Sequence, residues 1–276
     1  MIDLHLHTTA SDGLLAPSDL VQKARAAGLL TISITDHDTT AGSDAARDAA
    51  RDAGIDLVPG IEISAVADGR DVHVLGYFFD TGSATLRAFL DRQRDDRLRR
   101  VTEMGDRLAA LGCPIDVAPI LESAARGRSV GRPQIAEALL AARYVSTRNE
   151  AFDRFLEFHG PAYVPRRGAS PEEVVGILHD AGGIASLAHP GIAKRDGLIG
   201  SLAAAGLDAL EVRHSDHDEA TEARYRDLAR RHGLLVTGGS DFHGDSASRV
   251  SRFGTLSITP AELDDLRRAA RARARG

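Results

Sequence analysis

Short apolar runs alternate with amphipathic helical segments through most of this chain, and that alternation constrains its fold more than any other feature. Helices that carry the chain back between successive strands predict an α/β architecture with a parallel sheet. The first strand spans 1–7. A helix opened by Ala16-Pro17-Ser18 runs to about Ala27 and stops at Gly28. A strand at 29–35 follows, then a helix that ends at Ala53-Gly54, then strands at 55–64 and 72–79. From about Ser83 the character changes to a charged helical run, 83–111, containing R-Q-R-D-D-R-L-R-R, with further helices to about Gly160. Residues 83–160 therefore read as a helical insertion. Alternation resumes at Tyr163-Val164, and Ser170 with Glu173 fits a capping box for the next helix. Strands at 183–188, 207–212 and 234–239 and a final helix at 261–274 complete the pattern, with no fixed-period repeat.

The strands end in metal-ligand residue types. In D-L-H-L-H, alternation places Asp3, His5 and His7 on one face and Ile2, Leu4 and Leu6 on the other. The Ser11-Asp12-Gly13 turn then brings the Asp12 carboxylate back toward the same mouth. Alone, this segment fits an edge strand with two solvated histidines equally well. However, His37 in T-D-H-D-T, Glu62 in P-G-I-E-I-S, His189 before Pro190, and Asp241 and His243 in G-S-D-F-H all fall at or just past strand carboxyl ends. His73 lies on another strand. Barrels of parallel strands build their sites at that face. Each residue has a plain alternative. His37 fits a turn flanked by caps, Glu62 and His73 fit water-facing strand positions, and His189 fits a strand end. Six histidines and three carboxylates at one face are more than chance gathers. One ion takes about four ligands, so nine predict more than one ion, with a carboxylate such as Glu62 bridging. Two dications would leave the mouth slightly positive, and three clearly so. Phosphate is the obvious anion for such a mouth, and clustered ions suit phosphate ester hydrolysis. His159, His179, His217 and His232 read as solvated side chains. His214, just past a strand end in E-V-R-H-S, is the exception.

Composition narrows the partners. A formal net charge of −6 argues against a general polyanion binder and against a DNA duplex. Aromatics at 4%, with no Trp, are poor material for base stacking. Cys113 is the only cysteine, which excludes an intrachain disulfide and a thiolate cluster. No signal-peptide pattern and no bilayer-spanning apolar run stand out, so the expected compartment is the cytoplasm, with no membrane partner. Oligomeric state stays open.

H-L-H near the start, S-D-G, I-T-D-H-D-T, P-G-I-E-I-S, V-H-V-L-G-Y, A-H-P and G-S-D-F-H together resemble the PHP (polymerase and histidinol phosphatase) family, over roughly 1–80 and 160–255. The resemblance implies a distorted (βα)₇ TIM-like barrel formed by 1–82 and 161–276, with 83–160 inserted as a substrate cap. It also implies two or three divalent metal ions. By position, His5, His7, Glu62 and Asp241 would hold the first. Asp12, His37 and His243 would hold the second, and Glu62, His73 and His189 the third. Many members carry His in place of Asp12, so a hard ion such as Mn²⁺ is favoured there, with Zn²⁺ or Fe²⁺ as alternatives. The insert and its G-R-P motif resemble stand-alone members that act on nucleoside 3′,5′-bisphosphates or trim short RNAs. In S-V-G-R-P-Q-I-A, Arg132 is a candidate for a bidentate grip on a second phosphate, with Ser129 a hydroxyl donor. Many relatives carry His in place of Gln134, which is the third candidate substrate contact in this motif. Arg166 in V-P-R-R-G is a further candidate contact, although for it and for Arg167 a surface charge is an equal reading. The charged helix 87–107 mixes its arginines with Asp91, Asp95, Asp96, Glu103 and Asp106, and reads as solvated with i,i+4 pairs.

The expected protein is a metal-dependent phosphoesterase in which a hydroxide bridging two metals attacks phosphorus in line. His189 would orient the phosphoryl group and Asp241 would take a proton. His214 would donate to the leaving oxygen or touch substrate. The expected substrate is a small nucleotide, a nucleoside 3′,5′-bisphosphate losing its 3′-phosphate, such as adenosine 3′,5′-bisphosphate giving AMP. The alternatives are a 5′-3′ exoribonuclease on short 5′-phosphorylated RNA and a histidinol phosphatase, the latter disfavoured by the G-R-P insert. A non-catalytic metal-binding scaffold domain is a further alternative, disfavoured by the complete ligand set.

Overall fold

A computed structural model describes residues 1–245 and 252–274 of the chain. The strands β1 (Ile2–Leu6) and β2 (Thr31–Ile34) alternate with the helices α1 (Pro17–Ala26) and α2 (Ala41–Asp52), then lead into β3 (Asp56–Ala67) and β4 (Arg70–Tyr77). Four helices follow: α3 (Ala84–Ala110), α4 (Ala118–Ala125), α5 (Arg132–Ala141) and α6 (Arg148–Ala151), the last running into a π-helical turn at Phe152–Leu156. The chain returns through α7 (Pro171–Asp180), β5 (Ile184–Leu187), α8 (Pro190–Ala193), α9 (Gly197–Ala204), β6 (Ala209–His214), α10 (Glu219–Arg231), β7 (Leu235–Gly239) and α11 (Pro260–Arg273). The cap read from sequence is in place on α7. Glu173 N–H donates to Ser170 Oγ at 3.2 Å, and Ser170 N–H to the Glu173 carboxylate at 2.7 Å.

Among the described residues, the strands form one seven-stranded sheet in chain order β1 to β7. Beyond β7 the chain pairs back onto β1, with His7 N–H donating to Phe242 O at 3.0 Å and Asp241 N–H to His5 O at 2.9 Å. A Cβ at Gly239 would collide with the His5 backbone, so glycine permits this close approach. The result is a nearly closed, distorted TIM-like barrel. Ile61, Ile63 and Val74 on its outer face pack against Val174 and Leu178 of α7.

Two features depart from the expected pattern. β4 runs antiparallel to both β3 and β5, so the sheet is mixed rather than parallel. Asp68-Gly69 joins β3 to β4 with φ angles of 50° and 74°, the left-handed pair of a type I′ hairpin turn. This reversal sets the amino-terminal half of β4, with His73, at the mouth where the parallel strands end. Secondly, no strand forms at Tyr163-Val164. The segment is buried coil, and α3 arginines take the place of a strand partner: Arg100 Nε donates to Val164 O and Arg99 Nη2 to Pro165 O, both at 2.9 Å.

The helices between β4 and β5 share an apolar cluster of their own, including Val101, Met104, Leu108, Ile135, Leu139 and Leu156. Each such side chain contributes about 1.5–3 kcal/mol when fully buried. That cluster seats α3 and α5 over the barrel mouth. Among the described residues no helix is long and apolar enough to cross a membrane.

Candidate active site

Four atoms from three strand ends meet at the mouth of the barrel. His5 Nε2 lies 3.2 Å from His7 Nε2, and both face Glu62 Oε2, at 3.4 and 3.2 Å, and Asp241 Oδ1, at 3.4 and 3.2 Å. Ligands about 2.1 Å from one ion stand roughly 3–3.5 Å apart, so this donor set already fits a metal ion. Glu62 is the hub. His37 Nδ1 is 3.1 Å from its Oε2, while His73 Nδ1 and His189 Nε2 are 2.7 and 3.0 Å from its Oε1. Asp12 completes a second grouping with His7, His37 and His243, the last 3.3 Å away. Buried His37 Nδ1 and His73 Nδ1 have no hydrogen-bond partner in proper geometry, as lone pairs converging on an ion would require. All nine residues expected to bind metal therefore converge. The groupings overlap more than a strict three-way division, because His7 faces both Asp12 and Asp241.

Burial would raise the Glu62 carboxyl, but the imidazoles of His37, His73 and His5 hold it well below the usual range. Asp241, again against burial, is held low by His5 and His243, and Asp12 by His243 and His37. The three carboxylates are thus anions, the state in which they bind metal.

The strand ends are held by further groups that the sequence reading did not single out. Glu211 on β6, fully buried, accepts from His5 Nδ1 at 2.9 Å and from His189 N–H at 2.7 Å. With its Nδ1 donating there, His5 presents the Nε2 lone pair to the cup. Asp36 accepts from Thr8 N–H at 2.8 Å and from Ser11 Oγ at 2.6 Å, bracing the turn that carries Asp12. For Glu211 the available signal was a carboxylate in the apolar start of a strand, A-L-E-V. His189 and Asp241 have φ of 25° and 51°, a left-handed backbone that costs of order 1–3 kcal/mol each and concentrates at functional sites.

The cup shares a cavity of about 140 Å³ with a cationic recess formed by Arg97, Arg100, Arg132 and Arg166. These four guanidiniums face Asp38 and Asp71, with Asp96 also acting on Arg166, leaving a surplus of positive charge. Arg97 Nε donates to Asp38 Oδ2 at 2.7 Å, and Arg132 Nη2 donates to Asp71 Oδ2 at 3.1 Å. Burial opposes it, yet Arg166, Arg132 and Arg100 bring Asp71 down to about 2. Burial and the neighbouring Arg166 pull Arg100 down to about 10, still a cation at neutral pH. Arg100 Nη2, Arg166 Nε and Ser129 Oγ are buried without hydrogen-bond partners, which leaves donors for an anion.

A model of the PHP domain family matches residues 3–152. The chain belongs to the PHP family. This PHP chain is 35% identical over 250 residues to the 5′-3′ exoribonuclease Rnm of Salmonella typhimurium, covering 87% of this chain and 84% of that protein. It is 34% identical over 253 residues to the 3′,5′-nucleoside bisphosphate phosphatase of Chromobacterium violaceum, covering 88% and 87%. Among solved structures, one described as a metal-dependent phosphoesterase from Bifidobacterium adolescentis superposes with a TM-score of 0.86 at 36% identity, covering 96% of this chain and 94% of that one. This PHP protein is a hydrolase of phosphoester bonds, and its His/Asp/Glu cluster suits a metal site.

Several sequence readings of the PHP chain shift with the structure. α3 is not a uniformly solvated helix. Gln93, Arg97, Arg100 and Met104 form one buried stripe, while Arg99 and Glu103 keep the expected i,i+4 pair at 2.9 Å. Arg166 is buried in the recess, and Arg167 is exposed. Gln134 ties the α5 turn together, accepting from Gly131 N–H at 2.7 Å and donating to Ser11 O at 3.2 Å. His214 lies against Asp241 and is fully buried. Its Nδ1 accepts from Asp216 N–H at 3.1 Å, so Nε2 carries the proton donated to Asp241 Oδ2 at 3.2 Å. His217 is also buried, bonded to Val212 O, because it packs under His214. Half-buried His179 pairs with Asp208 at 2.8 Å, whereas His159 and His232 are exposed.

Proposed function

We propose that this protein removes the 3′-phosphate of nucleoside 3′,5′-bisphosphates, turning adenosine 3′,5′-bisphosphate into AMP and phosphate. One observation carries this reading: Asp12, His37 and His73 of the metal-type donor cup line a single cavity with the four-arginine recess. A substrate with two phosphates satisfies both. His5, His7, Asp12, His37, Glu62, His73, His189, Asp241 and His243 would hold two or three divalent ions, with Mn²⁺ favoured by the hard Asp12 donor. Such ions polarise the ester and supply hydroxide at neutral pH. Asp241, steadied by His214, would accept a proton. His189, bonded to Glu62 at 3.0 Å, would orient the phosphoryl group. Arg132, Arg166, Arg97 and Arg100, with Ser129, receive the 5′-phosphate through charge-assisted hydrogen bonds. In this division, residues 83–160 cap a barrel made by 1–82 and 161–276, acting in the cytoplasm on small nucleotides rather than on duplex DNA.

A second reading, a 5′-3′ exoribonuclease on short 5′-phosphorylated RNA, draws on the same recess, since a 5′-phosphate is gripped alike when the 3′-ester leads to another nucleotide. The Salmonella relative's name favours it. Histidinol phosphate would leave the recess without its anion, and a scaffold role would not need the full donor set. The test is metal analysis of the purified protein plus a phosphate-release screen with Mn²⁺ over nucleoside bisphosphates, short 5′-phosphorylated RNAs and histidinol phosphate. The expected result is bound metal and fastest turnover of the bisphosphate. Metal-indifferent protein, or fastest turnover of histidinol phosphate, would overturn the reading.

A further inference from the structure

A second cavity of about 600 Å³ opens beside the site, between the turn that carries Leu14 and the helices α4 and α5. It shares the lining residues Asp12, Pro133 and Gln134 with the recess, so the two spaces adjoin. Its lining is largely aliphatic and prolyl, and includes Leu14, Pro114, Ile115, Pro119, Pro133 and Ala138. Leu14 is 57% exposed, a large apolar side chain left at the rim. Charged groups in its lining already have partners. Glu137 pairs with Arg148 at 2.9 Å, Arg128 Nε donates to Ser11 O at 2.8 Å, and Asp116 accepts from Ala118 N–H at 2.9 Å.

Size and charge select the occupant. Small-molecule ligands fill pockets of about 300 Å³ or more, and the recess offers about 140 Å³. A nucleotide with its phosphates in the cup and recess must place its uncharged part in an adjoining space. The groove is apolar, adjoins the site and carries no surplus positive charge, so it suits a ring face better than a phosphate chain. We infer that this groove is the nucleobase subsite, with the base laid against Pro133, Ile115 and Ala138. This inference rests on the bisphosphate reading of the site. It makes recognition a matter of buried area rather than edge hydrogen bonds, so purines should outperform pyrimidines without strict base choice.

The test compares an adenosine 3′,5′-bisphosphate with an abasic sugar 3,5-bisphosphate, using the Mn²⁺-loaded full chain. The wild type should favour the base-bearing substrate by about tenfold or more in kcat/KM, mainly through KM. Ala138→Phe, which fills the groove from the α5 wall, should bring that ratio close to one. An unchanged ratio in the variant would overturn the inference. So would a wild-type ratio near one, a result that needs no variant to fold. If Ala138→Phe slows only a 5′-phosphorylated dinucleotide, the groove takes the second nucleotide and the inference falls. If neither bisphosphate is hydrolysed while a plain monoester is, the bisphosphate reading itself fails and takes the inference with it.

Discussion

The cup and the recess occupy one cavity but come from different parts of the fold. The cup's donors stand on β1, β3 and β4, in the turn after β1 and just past the ends of β2, β5 and β7, each fixed by the sheet. The recess draws none of its four guanidiniums from a strand: Arg97 and Arg100 come from α3, Arg132 from the first turn of α5, and Arg166 from buried coil. On the proposed reading, the barrel sets the reaction, and the inserted helices with Arg166 set what is presented to it. Damage to the cup should slow every substrate, whereas damage to the recess should cost discrimination.

The largest effect tests the cup. Glu62→Gln removes the carboxylate that five imidazoles approach, and activity toward any phosphoester should fall about a thousandfold or more. Chelation should reproduce the loss, and added Mn²⁺ should reverse it only in the wild type. Equal residual activity with and without metal would break the comparison at its root. Next comes the recess. Arg97→Ala or Arg132→Ala should lower kcat/KM for a bisphosphate by about tenfold to a hundredfold, since a hydrogen bond to a charged group contributes about 1.5–3 kcal/mol. A simple aryl monophosphate should change little. An equal fall for both substrates would show that the arginines serve the structure alone.

These two regions also differ in how far they could be read from the chain. Ligand residues at strand carboxyl ends mark the cup because strand periodicity fixes where such residues point. His73 joined it for a reason the apolar pattern hid, the reversal of β4 at Asp68-Gly69, although Asp-Gly between strands is itself a hairpin signal. The recess was half legible. The G-R-P motif marks Arg132, but Arg97 and Arg100 sit in a helix whose composition looks solvated. Which stripe of α3 turns inward is decided by packing against α5 and α7, not by the helix itself. Glu211 and Asp36 were missed because a residue that orients a ligand leaves no spacing pattern.

A smaller effect sharpens the account of the cup's support. Glu211→Gln should weaken metal affinity about tenfold to a hundredfold, as loss of a carboxylate partner to a metal-binding histidine does. Metal titration should show this with kcat at saturating Mn²⁺ less affected. Unchanged affinity would mean that His5 needs no such partner.

The smallest effect lies away from both regions. Asp208 is held below its ordinary value of 3.8, against burial, by the His179 and Arg273 side chains and the Ala185 N–H. A depressed carboxyl stabilises the fold above its unfolded pKa, and that stabilisation is lost as pH falls through the folded one. Asp208→Asn should therefore cost about 1 kcal/mol at neutral pH. In paired thermal melts the gap should close only as pH drops below about 4. A gap that widens in acid would contradict that pairing, and altered substrate preference would blur the separation of regions.

The most direct test of the two-part site is the wild-type ratio of kcat/KM for adenosine 3′,5′-bisphosphate over adenosine 3′-monophosphate, with saturating Mn²⁺. Both substrates present the same ester to the cup, and only the first fills the recess. A preference of about a hundredfold, equivalent to about 2.7 kcal/mol, is the predicted result, and a ratio within about threefold of one would contradict it.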